Sequence, residues 1–449
     1  MVNMTAAKLA EKIGAEFTGQ DRPLTNAAVD SRAVGEGTLF FAFQGQKNDG
    51  RDFIPAVWQA GGVAVCDRPV EGNGPLLRVE NVQQALIAAA EVCRGEYDLP
   101  IVAVTGSVGK TTTKEMIASV VSCFCETAKT PGNYNNHIGL PLTLMGIGPH
   151  HRAAVIEMGM SGFGEIELLS RITRPSVGVI TNVGVAHIEK LGSRENILKA
   201  KLEILRGIPP HGTLVLNADE PLLWQMKGLL PVNTLYFGCT NPHADVTGRL
   251  LESRSDGSRI AICTPQGEVE VELRVPGEHQ LMNALAAFCA GTVLGIPQGD
   301  ILRGLTHFEG VAMRQQRRQY KGVTLIDDCY NANTDSVLAA LALLKDLPCD
   351  GQRIAVLGDM AELGELAPEA HRRVGQRAAE CARCLLGVGE QMRHAVTQFG
   401  PAGVWFETKT AAADYLAAIA RAGDVILFKG GRFMRMEDVM DAFTERWQG

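Results

Sequence analysis

The chain of 449 residues is longer than one typical domain and suits two or three, each able to bury its own core. With 46% hydrophobic and 21% charged residues it reads as a globular protein, and no apolar run approaches membrane-spanning length. Forty-three basic against 50 acidic residues give a formal charge of −7 without a basic run, which argues against general nucleic-acid binding; an anionic ligand must be held by local loops.

The opening stretch "MVNMTAAKLAEKIGAEF" predicts an amphipathic helix containing acids rather than a secretory leader, so the expected location is cytoplasmic. Eleven cysteines are scattered, and the pair Cys381 and Cys384 lacks a second pair or a histidine at zinc spacing; reduced, mostly buried thiols are expected. "TLFFAF" and "GGVAVC" read as buried strands with "IPAVWQAG" helical between them, a small α/β module over residues 1–98.

From Leu99 the pattern becomes strand, polar loop, helix: "IVAVTGSVGKTTTKEMIASVV", then "AAVIEMG", "VGVITNVG" and "TLVLNADEP". This predicts a largely parallel, helix-covered sheet over 99–312. A third unit over 313–449 repeats the pattern in "GVTLIDDCYNAN", "RIAVLGDMAELG", "CLLGVG" and "DVILFKGGR". The expected fold is therefore α/β in three domains, with ligands at the carboxyl ends of the strands.

The segment "IVAVTGSVGKT" has what a polyphosphate needs. Glycines let the N–H groups of Gly106, Ser107, Val108 and Gly109 converge, the helix N-terminus adds positive dipole, Lys110 neutralises the β/γ oxygens, and the Thr111 hydroxyl can ligate Mg²⁺. It departs from the strict phosphate-loop pattern, because Val104 stands where a glycine is usual. Downstream, "SRENILKAKLEILRGI" predicts one helix with Ile197, Leu198, Leu202, Ile204, Leu205 and Ile208 along one arc. Lys201 falls in the middle of that arc, so its amine must snorkel, pair, or be converted by CO₂ into a metal-binding carbamate. If the strands ending at Glu157 and near Asn182 and His187 flank the loop, a carboxylate and an imidazole arrive beside the phosphates. A P-loop switch or motor is the rival class, and it wants an aspartate after an apolar strand where "IEMG" puts a glutamate.

"TGSVGKTTTKEM", "GNYNNHIGLPLTL", "IEMGMSGFGEIELL", "TNVGVAHIEKLGS", "KAKLEI", "VPGEHQLMNALAA", "IDDCYNAN" and "LGDMAELGELA" occur in an order that resembles the Mur ligase family. "GNYNNHIG" and the last two segments resemble its member that adds D-alanyl-D-alanine. The resemblance implies a first domain holding the UDP end of a nucleotide-sugar peptide, a central ATPase domain, and a C-terminal Rossmann-like domain closing over ATP. It implies ATP and Mg²⁺ as cofactors, UDP-N-acetylmuramoyl-tripeptide and D-alanyl-D-alanine as substrates, no nucleic-acid partner, no membrane insertion, and a monomer. Another Mur-type or folylpolyglutamate-type ligase is the nearest alternative.

By the same resemblance, Lys110 and Thr112 join the triphosphate site, Thr111 and Glu157 hold one Mg²⁺, and His187 with carbamylated Lys201 holds a second. Asn283 is implied at the adenine, Arg314 and Asp328 at ATP, Tyr330, Asn331 and Asn333 near ATP and the dipeptide, and Ser31 and Arg32 at the uridine diphosphate. Three positions depart from the family pattern: Thr334 replaces a usual proline, Arg51 a usual histidine, and His137 a common acid. The first predicts a less rigid loop.

Overall fold

The computed structural model describes residues 4–45, 48–254 and 257–447. The expected N-terminal helix runs over Ala6–Ile13, capped by Thr5, and residues 1–3 of that stretch lie outside the described residues. Three sheets follow in chain order. The first joins β1 (Glu16–Thr18), β2 (Asn26–Ala28), β3 (Thr38–Phe41), β4 (Val63–Cys66) and β5 (Leu76–Arg78) in the order β1-β5-β4-β3-β2.

The second has nine strands: β6 (Ile101–Thr105), β7 (Thr127–Lys129), β8 (Ala153–Glu157), β9 (Val177–Ile180), β10 (Thr213–Asn217), β11 (Asn233–Gly238), β12 (Val246–Ser253), β13 (Ser258–Thr264) and β14 (Gly267–Leu273). Their order is β14-β13-β12-β11-β10-β9-β6-β8-β7. All five residues of β6 are buried, as expected of a strand with both faces covered by helices. The sheet is parallel from β7 to β12, and β13 and β14 extend it antiparallel. Alternation of Val269, Val271 and Leu273 with Glu268, Glu270 and Glu272 is the period-2 signal of a half-exposed strand, which a strand-loop-helix reading passes over.

The third sheet contains β15 (Gln316–Tyr320), β16 (Val323–Asp328), β17 (Arg353–Gly358), β18 (Cys384–Val388), β19 (Gly403–Phe406) and β20 (Val425–Lys429), ordered β15-β16-β20-β17-β18-β19. Only its edge strand β15 is antiparallel.

The expectation of a separate core in each unit needs correction at the first boundary. Leu39, Phe41, Val65 and Leu77 of the first sheet form one buried cluster with Leu86 and Ala89 of the Val82–Gly95 helix and with Leu140, Leu144, Ile156 and Ile180 of the second unit. A five-stranded sheet of three- and four-residue strands has too little apolar face to cover itself, so its helix packs onto the next domain. The third sheet keeps its own clusters on its two faces. Among the described residues no helix is long and apolar enough to cross a membrane.

Candidate functional site

Strand order places β6 between β8 and β9, with Val104 opposite Glu157 and Thr105 opposite Ile180. The flanking carboxyl ends thus bracket the loop Gly106–Thr112. Gly106 has φ 151°, and a Cβ there would lie 1.9 Å from Thr181 Oγ1, so no other residue fits. Gly109, at φ 83°, begins the Lys110–Ser122 helix without a side-chain cap, leaving its first amides to an anion. The loop is shaped from the end of β9. Asn182 Oδ1 accepts from the amides of Ser107 (3.1 Å) and Val108 (2.9 Å), and Thr181 Oγ1 donates to Val108 O (2.6 Å). Ser107 Oγ accepts from the Gly184 amide at 2.9 Å.

Lys110 Nζ donates to Gly106 O at 2.8 Å, and burial pushes its pKa down while Glu157 opposes the shift. A half-buried cation on a cavity wall meets less competing water than one on the open surface. Glu157 itself is buried: Oε1 accepts from Asn135 Nδ2 (2.7 Å), its amide donates to Thr130 Oγ1 (2.9 Å), and Oε2 has no partner. An unsatisfied buried carboxylate oxygen on a cavity wall suits a hard cation. The cavity, about 520 Å³, is lined by Ser107 to Thr113, Glu157, Asn182 and His187 from the second unit and by Arg314, Asp328, Tyr330, Asn331 and Asn333 from the third.

His187 begins the Ile188–Leu191 helix in left-handed backbone, φ 63°. Its Nδ1 lies 2.5 Å from Glu362 Oε2 of the third unit, a close contact off the line of a ring N–H bond. Lys201 lies outside the cavity lining and 1% exposed, on the Arg194–Leu202 helix, which tightens into a 3₁₀ turn at Glu203–Arg206 instead of continuing as one α-helix. The apolar arc is where the periodicity put it, with Ile197, Leu198, Ile204 and Ile208 buried. Snorkelling is thereby excluded. No carboxylate among the described residues forms an ion pair with Lys201, and burial, then the charge of Lys110, hold its pKa well below 10.5. Such an amine is more readily neutral, the form that attacks CO₂.

Arg314 sits between two left-handed residues, Met313 (φ 58°) and Gln315 (φ 55°), with its guanidinium 4.1 Å from the Tyr330 ring centre. Arg314 Nε and the Tyr330 hydroxyl are both buried without partners. Parallel register sets Asp328 opposite Lys429, and the two form a buried ion pair at 2.7 Å; Lys429 also donates to Asn331 O at 2.9 Å. Asn333 accepts from the Ser336 amide (2.9 Å) in a capping box at the Thr334–Asp346 helix, worth about 1 kcal/mol. Thr334 thus occupies the first helical position, where proline is favoured, and the cap supplies the restraint that the missing ring would have given. The loss of rigidity expected there is offset.

Asn283, which as a lone helix residue reads as surface, is 8% exposed: its Oδ1 accepts from Thr113 Oγ1 (2.9 Å) and its Nδ2 donates to Gln280 Oε1 (3.0 Å). Ser31 and Arg32 stand apart from the cavity in the Ser31–Ala33 turn of the first unit, where Arg32 forks onto Asp30 (2.6 Å). His137 is exposed and Arg51 half-buried. Sequence reasoning missed Asn135, Thr113, Lys429 and Glu362. Only Lys429 carries a signal, a charge closing an otherwise apolar strand.

Fold and site define a P-loop nucleotide-binding protein whose third domain completes the ligand cavity. The Mur ligase middle domain family matches residues 104–291, and the Mur ligase, glutamate ligase domain family matches residues 313–432. The UDP-N-acetylmuramoyl-tripeptide--D-alanyl-D-alanine ligase of Escherichia coli K12 is 35% identical over 452 residues, 99% of each chain. A crystal structure of MurF from Acinetobacter baumannii superposes with a TM-score of 0.90 at 30% identity, covering 98% of both chains. The MurF ligase of Thermotoga maritima in complex with ADP gives 0.83 at 29% identity, covering 94% of this chain and 97% of the other. The chain belongs to the Mur ligase family.

Proposed function

We propose that the chain is the ATP-dependent ligase that joins D-alanyl-D-alanine to UDP-N-acetylmuramoyl-tripeptide, in cytoplasmic peptidoglycan-precursor synthesis. The observation that carries this reading is full-length similarity to ligases of that name, together with a phosphate cradle closed by third-domain residues. Residues 1–98, 99–312 and 313–449 then correspond to nucleotide-sugar-peptide, ATP and ligase domains.

The substrate carboxylate attacks the γ-phosphorus of ATP, ADP leaves, and an acyl phosphate forms. The amine of D-alanyl-D-alanine then adds to the acyl carbon, and phosphate departs from the tetrahedral intermediate with the C–N bond made and one proton released. Because both partners in the first step are anions, positioning and charge neutralisation carry the catalysis. Ser107 to Thr112 cradle the triphosphate, Lys110 faces its β/γ oxygens, and Arg314, steadied on Tyr330, approaches from the third domain. Asn283 braces the cradle through Thr113 beside the adenine end. Asp328, with Lys429, fixes the strand ends from which Tyr330, Asn331 and Asn333 meet ATP and the dipeptide. Ser31 and Arg32 hold the uridine diphosphate.

Thr111 and Glu157 would hold one Mg²⁺ and His187 with carbamylated Lys201 a second, and cations held there would supply charge neutralisation. For Lys201 the support is its burial without a counter-ion among the described residues and its depressed pKa. Phosphate release from ATP is expected to require both UDP-muramoyl-tripeptide and D-alanyl-D-alanine; release with a single free amino acid in place of the dipeptide would favour another amide ligase of the superfamily. Lys201→Ala is expected to lose activity on the order of 10²-fold or more, regained in part with short-chain carboxylic acids. Turnover at the parent rate would end the carbamate proposal.

A further inference from the structure

The third domain sends one acid to His187 that the reaction scheme does not use. Glu362 lies in the turn between β17 and the Ala367–Cys381 helix, with left-handed backbone at φ 60°. The base of the turn is pinned: Asp359 O accepts from the Gly431 amide (2.9 Å), Asp359 Oδ1 from the Met392 amide (2.9 Å), and the Met360 amide donates to His371 Nε2 (3.2 Å). Its far side presses on the second domain, where a Cβ on Gly364 would come within 3.0 Å of Glu189 Cγ. Two non-glycine residues in left-handed backbone, Glu362 and His187, therefore meet across a domain boundary, each held by what surrounds it.

The contact is one-sided. His187 lines the cavity and Glu362 does not, so the carboxylate stands 2.5 Å from Nδ1 on the side away from the cavity, and Nε2 is the ring nitrogen left for a ligand within it. Metal-binding imidazoles have this arrangement: one nitrogen on the metal, the other N–H given to a carboxylate that fixes tautomer and ring plane and raises basicity.

We propose that Glu362 is the positioning carboxylate of His187, so that docking of the third domain orients the ring for a cation that the cavity would hold. The inference rests on the reading of His187 as a metal ligand. Cation binding and domain docking are then one linked equilibrium: the ring is oriented only while the third domain supplies its acid, and a cation on Nε2 favours the docked arrangement.

The test is Mn²⁺ binding to the full chain, followed by the EPR signal of the free ion in the presence of a non-hydrolysable ATP analogue. His187→Ala defines the class of Mn²⁺ that depends on the ring. Glu362→Ala is expected to weaken that class about 10- to 100-fold, and Glu362→Gln, whose amide oxygen can accept from Nδ1–H, to stay within about threefold of the parent. The Glu362 side chain is 46% exposed, so both variants fold. If His187→Ala removes a class of Mn²⁺ that Glu362→Ala binds as tightly as the parent, the inference is overturned and the reading of His187 stands. If His187→Ala leaves all Mn²⁺ binding unchanged, the reading of His187 falls and the inference with it.

Discussion

The two joints of this chain are built from different materials. Between the first and second domains apolar residues run through without a break, from Leu39 and Phe41 by way of Leu86 to Leu140 and Leu144. Between the second and third the meeting groups are polar, with His187 against Glu362 and with Arg314, Asp328 and Asn331 facing the phosphate loop across the cavity, while each side keeps its own core. Parting the first joint would expose core to water. Parting the second returns charged groups to water at little net cost, which is what a site that must admit three substrates requires.

The comparison can be broken at either joint. At the polar one, Lys110→Ala is expected to lower phosphate release on the order of 10³-fold while leaving stability towards urea nearly unchanged, since the half-buried ammonium lines the cavity and donates to Gly106 O. A loss of less than tenfold would show that the lysine is not a phosphate ligand. At the apolar joint the balance reverses: Leu86→Ala, fully buried, should cost about 2–5 kcal/mol of unfolding free energy with the KM for ATP nearly unchanged. An unchanged denaturation midpoint would mean that the first two domains do not share a core in solution.

The smallest expected effect sharpens the polar side. His371 is buried and neutral, its Nε2 accepting from the Met360 amide and its Nδ1–H directed at Ala367 O (2.7 Å), and burial lowers its pKa from 6.5. The unfolded chain binds the proton more readily, so stability rises with pH up to about 6.5 and is lost as pH falls through the depressed folded value. Because Met360 begins the turn carrying Glu362, protection of the Met360–Glu362 amides against exchange should fall in that acid window before global unfolding. A His371→Gln variant should flatten the pH slope; the same slope in both proteins would assign it to other groups.

The cradle was legible because its chemistry is local. A buried strand, two glycines, a lysine and three threonines in succession mark a phosphate-binding turn, which Thr181 and Asn182 then shape from β9, and the strand ends carrying Glu157 and Asn182 fall beside it because parallel β-α units wind in one hand. Lys201 was legible through helical period alone, as a charge on an apolar arc. Asn283 was not: only the helix packed beside it, offering Thr113, turns a surface-type residue into a buried brace. Nor was Asn135, whose hold on Glu157 spans 22 residues of chain.

By itself the sequence determined the elements, the three α/β units and the phosphate loop, since these follow from periodicity and from backbone freedom at particular residues. Tertiary structure alone decided that the first two units share a core, that Lys201 has no counter-ion among the described residues, and that an acid of the third domain reaches the histidine of the second. Burial and pairing between distant segments depend on how finished elements pack. No spacing along the chain encodes which side chain across a boundary will displace the water.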